Sequence, residues 1–300
     1  MTATISSGSN GTEGGVFGDA VSFSGDGKII AIGDKFSDLL TIEDAGVVEI
    51  YREVNGTWTK MGNDLFGSEK RDLFGWSVAL SKDGNRVAAS SLGSNEKPGN
   101  VKTFDFNGIF WEEVGSDIVG ESTREFFGVT VELSGDGSIL AAGATGYSRD
   151  GQEASVGIVR SYQYDIDMGD WSPYGQPLEG ENEFNAFGSS IALSYDGTTI
   201  AIGGPENGNF CDNCGHIQVF QNSEGTWNNT GSELGKSGID GGQFGYDVAL
   251  SESGDRIVGA APFTTFNGFV SKVGQVLVFD SIVPRTNGTT TDEGGVITPE

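Results

Sequence analysis

The sequence predicts an all-β fold, a β-propeller of five four-stranded antiparallel blades, on three observations. A Phe-Gly pair recurs at Phe17, Phe74, Phe127, Phe187 and Phe244, with spacings of 57, 53, 60 and 57 residues. Seven residues after each Phe stands a Ser (Ser24, Ser81, Ser134, Ser194, Ser251), and ten after it a Gly (Gly27, Gly84, Gly137, Gly197, Gly254), with no gap required. Heptads and apolar positions at helical spacing are absent, whereas short apolar runs bounded by turn residues recur, which is the pattern of an all-β repeat chain.

Each repeat opens with a first strand whose residues alternate as a half-buried strand requires, as in Val78 and Leu80 or Ile191 and Leu193. A Ser-x-Asp-Gly turn follows, and its Asp (Asp26, Asp83, Asp136, Asp196) reads as a structural turn residue. Asp and Gly both tolerate positive φ, so a tight hairpin is expected there. The second strand is apolar, as at Ile29–Ile32, Ile139–Ala142 and Ile200–Ile202. A variable loop then leads to a Gly (Gly46, Gly99, Gly157, Gly215, Gly274), and five residues on to an aromatic (Tyr51, Phe104, Tyr162, Phe220, Phe279), giving a third strand. The fourth carries Trp58, Trp111, Trp171 or Trp227, with a Gly four residues later (Gly62, Gly115, Gly175, Gly231). These Trp read as packing residues, with a carbohydrate-stacking platform as the sharper alternative.

A four-stranded sheet cannot bury both faces alone, so copies must stack face to face around an axis. Small residues after the second strand, as in Gly203-Gly204-Pro205 and Ala260-Ala261-Pro262, suit close approach between blades. The fifth repeat lacks the Trp strand, and the N-terminal segment around Ile5 is expected to complete its blade, although a piece of a larger ring is the alternative. The propeller is assigned to residues 1–281, and residues 282–300, polar and rich in Gly and Thr, to a flexible tail or linker.

Seventeen Lys and Arg against 43 Asp and Glu leave a formal charge of −26, spread along the chain. Nucleic acid is excluded as a partner, because phosphate binding needs clustered cations. No apolar stretch is long enough to insert in a membrane, and MTATISSGSNG has neither a basic nor an apolar leader region. Asn-x-Ser/Thr acceptors stand at Asn10, Asn55, Asn228 and Asn287. Oligomeric state is not readable.

The Phe-Gly of strand one, the Gly-Gly-Pro and Ala-Ala-Pro at 203–205 and 260–262, and the Gly-x-Val-x-aromatic of strand three resemble FG-GAP repeats, the blades of integrin-α-like propellers. The resemblance covers about residues 17–280. It implies an extracellular or cell-surface protein that binds a protein or glycan ligand. It also implies calcium in a long Asp-rich connection between strands one and two, but here that connection is only SGDG or SKDG, too short to wrap the ion. No cofactor is therefore expected; the remaining calcium-like spacing is Asp165, Asp167 and Asp170 in DIDMGD, with a solvated hairpin tip as the alternative reading.

The connections from strand two to three, and from strand four to the next strand one, emerge on one rim and are the segments that vary between repeats. Carboxylates collect there, and Asp38, Glu43, Asp44, Asp150, Glu153, Glu181 and Glu183 are the candidate ligand-binding residues of an acidic recognition face. Cys211 and Cys214 are the candidate disulfide; a zinc site with His216, or inert thiols, are the alternatives. His216, the sole His, is expected to be structural. Asp19, Glu132 and Asp247 lie on first strands at unlike offsets, with no converging catalytic set, so no enzyme is expected. The alternatives to a binding propeller are a structural repeat module and a carbohydrate-active hydrolase.

Overall fold

The protein is a five-bladed β-propeller, seen in a computed structural model that describes residues 4–6, 15–93, 97–149, 154–208, 214–235, 241–264, 274–280 and 295–296. Five antiparallel sheets follow one another along the chain, with no helix among the described residues. The first holds β1 (Ala20–Phe23), β2 (Ile29–Asp34), β3 (Val47–Val54), β4 (Thr57–Lys60) and β5 (Leu65–Phe66). The second holds β6 (Phe74–Leu80), β7 (Arg86–Ser91), β8 (Asn100–Phe106), β9 (Trp111–Glu113) and β10 (Ile118–Val119). The third holds β11 (Phe127–Leu133), β12 (Ile139–Ala144), β13 (Ile158–Asp165), β14 (Asp170–Pro173) and β15 (Leu178–Glu179). The fourth is β16 (Ser190–Leu193), β17 (Thr199–Gly204), β18 (His216–Ser223) and β19 (Thr226–Leu234). The fifth is β20 (Asp247–Leu250), β21 (Arg256–Ala261), β22 (Gln275–Asp280) and β23 (Gly295–Val296).

The outer strand is more broken than the sequence suggests. In the first three sheets it is two pieces on the same neighbour, β4 and β5 on β3, β9 and β10 on β8, β14 and β15 on β13. Each break holds one of Gly62, Gly115 and Gly175, all at positive φ (78°, 72° and 82°). The indole of the next repeat lies against it: a Cβ on Gly62 would meet Trp111 at 2.9 Å, and one on Gly115 or Gly175 would meet Trp171 or Trp227 at 2.7 Å. Trp111, Trp171 and Trp227 are thus staples between consecutive repeats, the packing role expected of them. Trp111 Nε1 donates to Met61 O, Trp171 Nε1 to Thr103 Oγ1 and Trp227 Nε1 to Ser161 Oγ, each at 2.8 Å. A Cβ on Gly231 would meet no described atom within 4 Å, and there the outer strand β19 runs on as one nine-residue piece.

The turn between the first two strands differs from the expected hairpin in its backbone. Only the Gly takes positive φ, as at Gly27 (69°), while the Asp keeps an ordinary conformation. The Asp acts through its carboxylate instead. In the third repeat Asp136 Oδ1 accepts from Ser134 Oγ at 2.7 Å and from the Ser138 N–H at 2.9 Å, while Ser134 Oγ accepts the Ile139 N–H at 2.9 Å. The same three bonds recur around Ser24 and Asp26, Ser81 and Asp83, and Ser194 and Asp196.

Two compact units divide the chain: residues 1–142 with 163–172, and residues 143–162 with 173–300. In the first unit the core lies between the first two sheets, where Ile29, Ala31, Val48 and Ile50 meet Phe74, Val78, Leu80 and Phe104. Ile5 packs on Ile30, Ile32 and Tyr51 of the first sheet. The second unit has its core between the fourth and fifth sheets, around Ile217, Val219, Phe244, Val248 and Ile257. The edge of the fifth sheet, where the N-terminal segment was expected, carries β23, pairing Val296 with Leu277 and Gly295 with Val278. The motif Phe residues Phe74, Phe127, Phe187 and Phe244 are fully buried, whereas Phe17 of the first repeat is half-buried against Ile30, Ile32 and Tyr51.

Candidate functional site

Three connections from the outer strand to the next first strand have equal length, eight residues from Gly to the motif Phe: GSEKRDLF at 67–74, GESTREFF at 120–127 and GENEFNAF at 180–187. Two residues before each Phe a polar side chain is buried, at Asp72, Glu125 and Asn185. In the first two loops it is a cap. Asp72 Oδ2 accepts the N–H groups of Ser68 (2.9 Å) and Glu69 (3.1 Å), and Glu125 Oε2 those of Glu121 (2.8 Å) and Ser122 (2.9 Å).

Asn185 is 1 % exposed, yet neither atom of its amide finds a hydrogen bond among the described residues. A buried polar group left so is costly, on the order of 1–3 kcal/mol, and therefore rare. One residue earlier the three loops carry Arg71, Arg124 and Phe184, all at positive φ (59°, 65° and 59°). Arg71 is engaged by Glu43, whereas Phe184 stands 64 % exposed, its N–H donated to Ser155 O at 2.7 Å. The third loop thus presents an exposed aromatic next in sequence to a buried amide.

The surroundings of this loop belong to the second unit. Arg149 clamps its start, Nε to Glu179 Oε2 at 2.8 Å and Nη2 to Gly180 O at 2.6 Å. Glu179 also accepts from Tyr147 OH at 3.2 Å. Glu181 Oε1 accepts from Gln218 Nε2 at 2.8 Å, so an exposed carboxylate is oriented by a buried amide. On the other side Asn185 O accepts the Glu206 N–H at 3.4 Å. His216, opposite Gly204 in the β17–β18 register, is buried and stacked on Phe187 at 6.3 Å, in keeping with a structural role. A Cβ on Gly204 would meet that imidazole at 2.7 Å, so only Gly fits.

No protein-family model matches the chain, and no curated protein matches it. Its likeness is to solved structures. The hydrazine synthase of Kuenenia stuttgartiensis matches at 12 % identity with a TM-score of 0.57, over 93 % of this chain and 67 % of that one. The periplasmic gluconolactonase PpgL of Pseudomonas aeruginosa matches at 14 % and 0.54, over 87 % and 67 %. The β-propeller domain of the Trilobed protease from Pyrococcus furiosus, described as having an open velcro topology, matches at 11 % and 0.53, over 94 % and 70 %. At such identities the likeness establishes the fold. It also corrects one expectation: enzymes and a protease domain share this architecture, so the reading of the chain as no enzyme does not stand.

The other sequence-predicted residues are dispersed. Asp38 Oδ1 accepts the Asp44 N–H at 2.8 Å, and Glu43 is paired with Lys70 at 2.6 Å and Arg71 at 3.1 Å, cations that hold its carboxyl below the usual range. Asp44 lies 4.0 Å from Arg71. This cluster is in the first unit, and its charge is substantially neutralised. Glu181 and Glu183 lie in the loop built above, Glu183 exposed; Asp150 and Glu153 fall outside the described residues.

The Asp165, Asp167 and Asp170 set does not converge on a metal. Asp165 Oδ1 accepts the N–H groups of Asp167 (2.9 Å) and Met168 (3.1 Å), closing its own hairpin tip. Asp170 Oδ1 accepts those of Ser116 and Trp171, both at 2.8 Å, which hold its carboxyl low. Among the described residues no group of three or more His, Cys, Asp and Glu is placed to hold a metal ion. Cys214 is disulfide-bonded, and Cys211 falls outside the described residues. Asn55 and Asn228 are exposed, Asn55 at the β3–β4 tip and Asn228 on β19; Asn10 and Asn287 fall outside the described residues.

The sequence reading named Glu181 but passed over Phe184 and Asn185. The signal was present in the three equal-length loops, where Arg, Arg, Phe and Asp, Glu, Asn stand in register.

Proposed function

We propose that this propeller is a recognition protein, in the manner of the FG-GAP proteins its repeats resemble, and that it engages a protein or glycan ligand through the connection Gly180–Phe187 on its variable rim. The observation that carries this reading is Asn185, a buried amide with no hydrogen bond among the described residues at the position where Asp72 and Glu125 cap their loops. Natural folds satisfy such groups unless they serve something else, and a loop in which Asn185 gives no cap and Phe184 stands exposed is suited to contact. Recognition is a step common to a binder and to a hydrolase, so the reading concerns which rim meets the ligand. We place the protein outside the cell; the disulfide at Cys214 supports that address, since such bonds persist in oxidising compartments.

A loop graft tests it. Replacing GENEFNAF (180–187) by GSEKRDLF, the loop of 67–74, keeps the length and restores a capping carboxylate. Screened against glycan and protein arrays, the parent should give a binder that the graft loses while melting no earlier. Binding that persists unchanged in the graft would contradict the assignment.

A further inference from the structure

We infer that Phe184 is the stacking platform of a neutral-sugar subsite, with the Glu181 carboxylate and the Asn185 amide as its hydroxyl-binding groups. The inference rests on the recognition reading of this loop and names the ligand class. A pyranose offers one apolar C–H face ringed by hydroxyls; an aromatic ring covers the face and planar carboxylates and amides take the hydroxyls.

The loop supplies each part in eight residues. Phe184 is 64 % exposed where Arg71 and Arg124 stand in the sister loops. Its backbone is pinned from the side by the 2.7 Å bond to Ser155 O. Glu181 is held by Gln218 at 2.8 Å, which leaves its carboxylate oriented and open to solvent.

Asn185 is the independent observation. It lies next to the platform, 1 % exposed, with both amide atoms lacking a hydrogen bond among the described residues. Among the described residues Asn185 gives no cap of the kind Asp72 and Glu125 give, so its amide is left for a hydroxyl of a sugar resting on Phe184. Charge selects against anionic sugars: Glu179 takes up Arg149, which leaves the carboxylates of Glu181 and Glu183 in a chain of net charge −26.

The test is a panel of neutral and of anionic hexose and pentose oligosaccharides, first on an array and then by calorimetry on the tightest neutral binder. The full chain, Phe184→Ala, Phe184→Tyr and Asn185→Asp are compared, with thermal melting as the folding control. We expect neutral oligosaccharides to bind, Phe184→Ala to weaken binding about tenfold or more, as loss of one stacking contact does, Phe184→Tyr to stay within about threefold, and Asn185→Asp to weaken it. Neutral-sugar binding that survives Phe184→Ala overturns the inference. So does a blank neutral panel while a protein or anionic ligand is captured and lost in the loop graft; that result leaves the rim reading intact and removes only the sugar.

Discussion

The two kinds of connection in this propeller make a controlled comparison. The turn between first and second strands repeats the same bonds in four copies, Ser24 with Asp26, Ser81 with Asp83, Ser134 with Asp136 and Ser194 with Asp196, at 2.6 to 2.7 Å. The connection from the outer strand to the next repeat keeps its length and its backbone, with left-handed Arg71, Arg124 and Phe184, but not its cap. A structural position keeps its chemistry from copy to copy. Here backbone and length persist while Asn185 makes none of the bonds of Asp72 and Glu125 among the described residues, and it is on this departure that the proposed recognition rests.

The largest expected effect lies in what all repeats share. Phe187→Ala removes a fully buried ring from the second unit and should destabilise by about 3–5 kcal/mol, read from denaturant midpoints at constant slope. A loss below about 1 kcal/mol would mean that the motif Phe is not what the fold rests on.

Next come the staples and the turns. Trp171→Phe deletes the donor to Thr103 Oγ1 and should cost about 1 kcal/mol in the same measurement. Asp136→Asn should cost a similar amount, and the loss should depend on pH. Hydrogen bonds from Ser138 and Ser134 hold the Asp136 carboxyl below its ordinary value of 3.8 despite burial, and Asp83 and Asp196 are depressed likewise. A carboxyl depressed in the folded state stabilises fully above its unfolded value, and that contribution is lost as pH falls through the folded value. Stability of the parent should therefore decline on acidification below about pH 4, and the decline should be shallower in Asp136→Asn. Parallel acid limbs would detach the turn carboxylates from stability.

How much of this was legible in the residues follows from the same contrast. The ring of blades could be read because Phe, Ser and Gly recur without a gap, the Ser and Gly at the turn and four of the five Phe fully buried. The split outer strand was hidden, since its cause is the neighbouring Trp: Gly62 breaks the strand where Trp111 presses on it, a contact between residues 49 apart in the sequence. Glu43 reads as a free carboxylate in the sequence, and only the fold brings Lys70 and Arg71 against it. Asn185 was hidden for the opposite reason, because one departure among three loops stands out only once the common cap is seen.

The smallest effect is the most direct test: denaturant midpoints of Asp72→Asn and Asn185→Asp, the two loops exchanged at one position. Asp72→Asn removes a carboxylate that accepts two N–H groups and an ion pair from Lys97 at 2.8 Å, and should destabilise by about 1 kcal/mol. Asn185→Asp gives the third loop the cap of its sisters and should stabilise by a few tenths to about 1 kcal/mol. Opposite signs are the predicted result; destabilisation by both substitutions would contradict the account, for it would mean that Asn185 already serves its own loop.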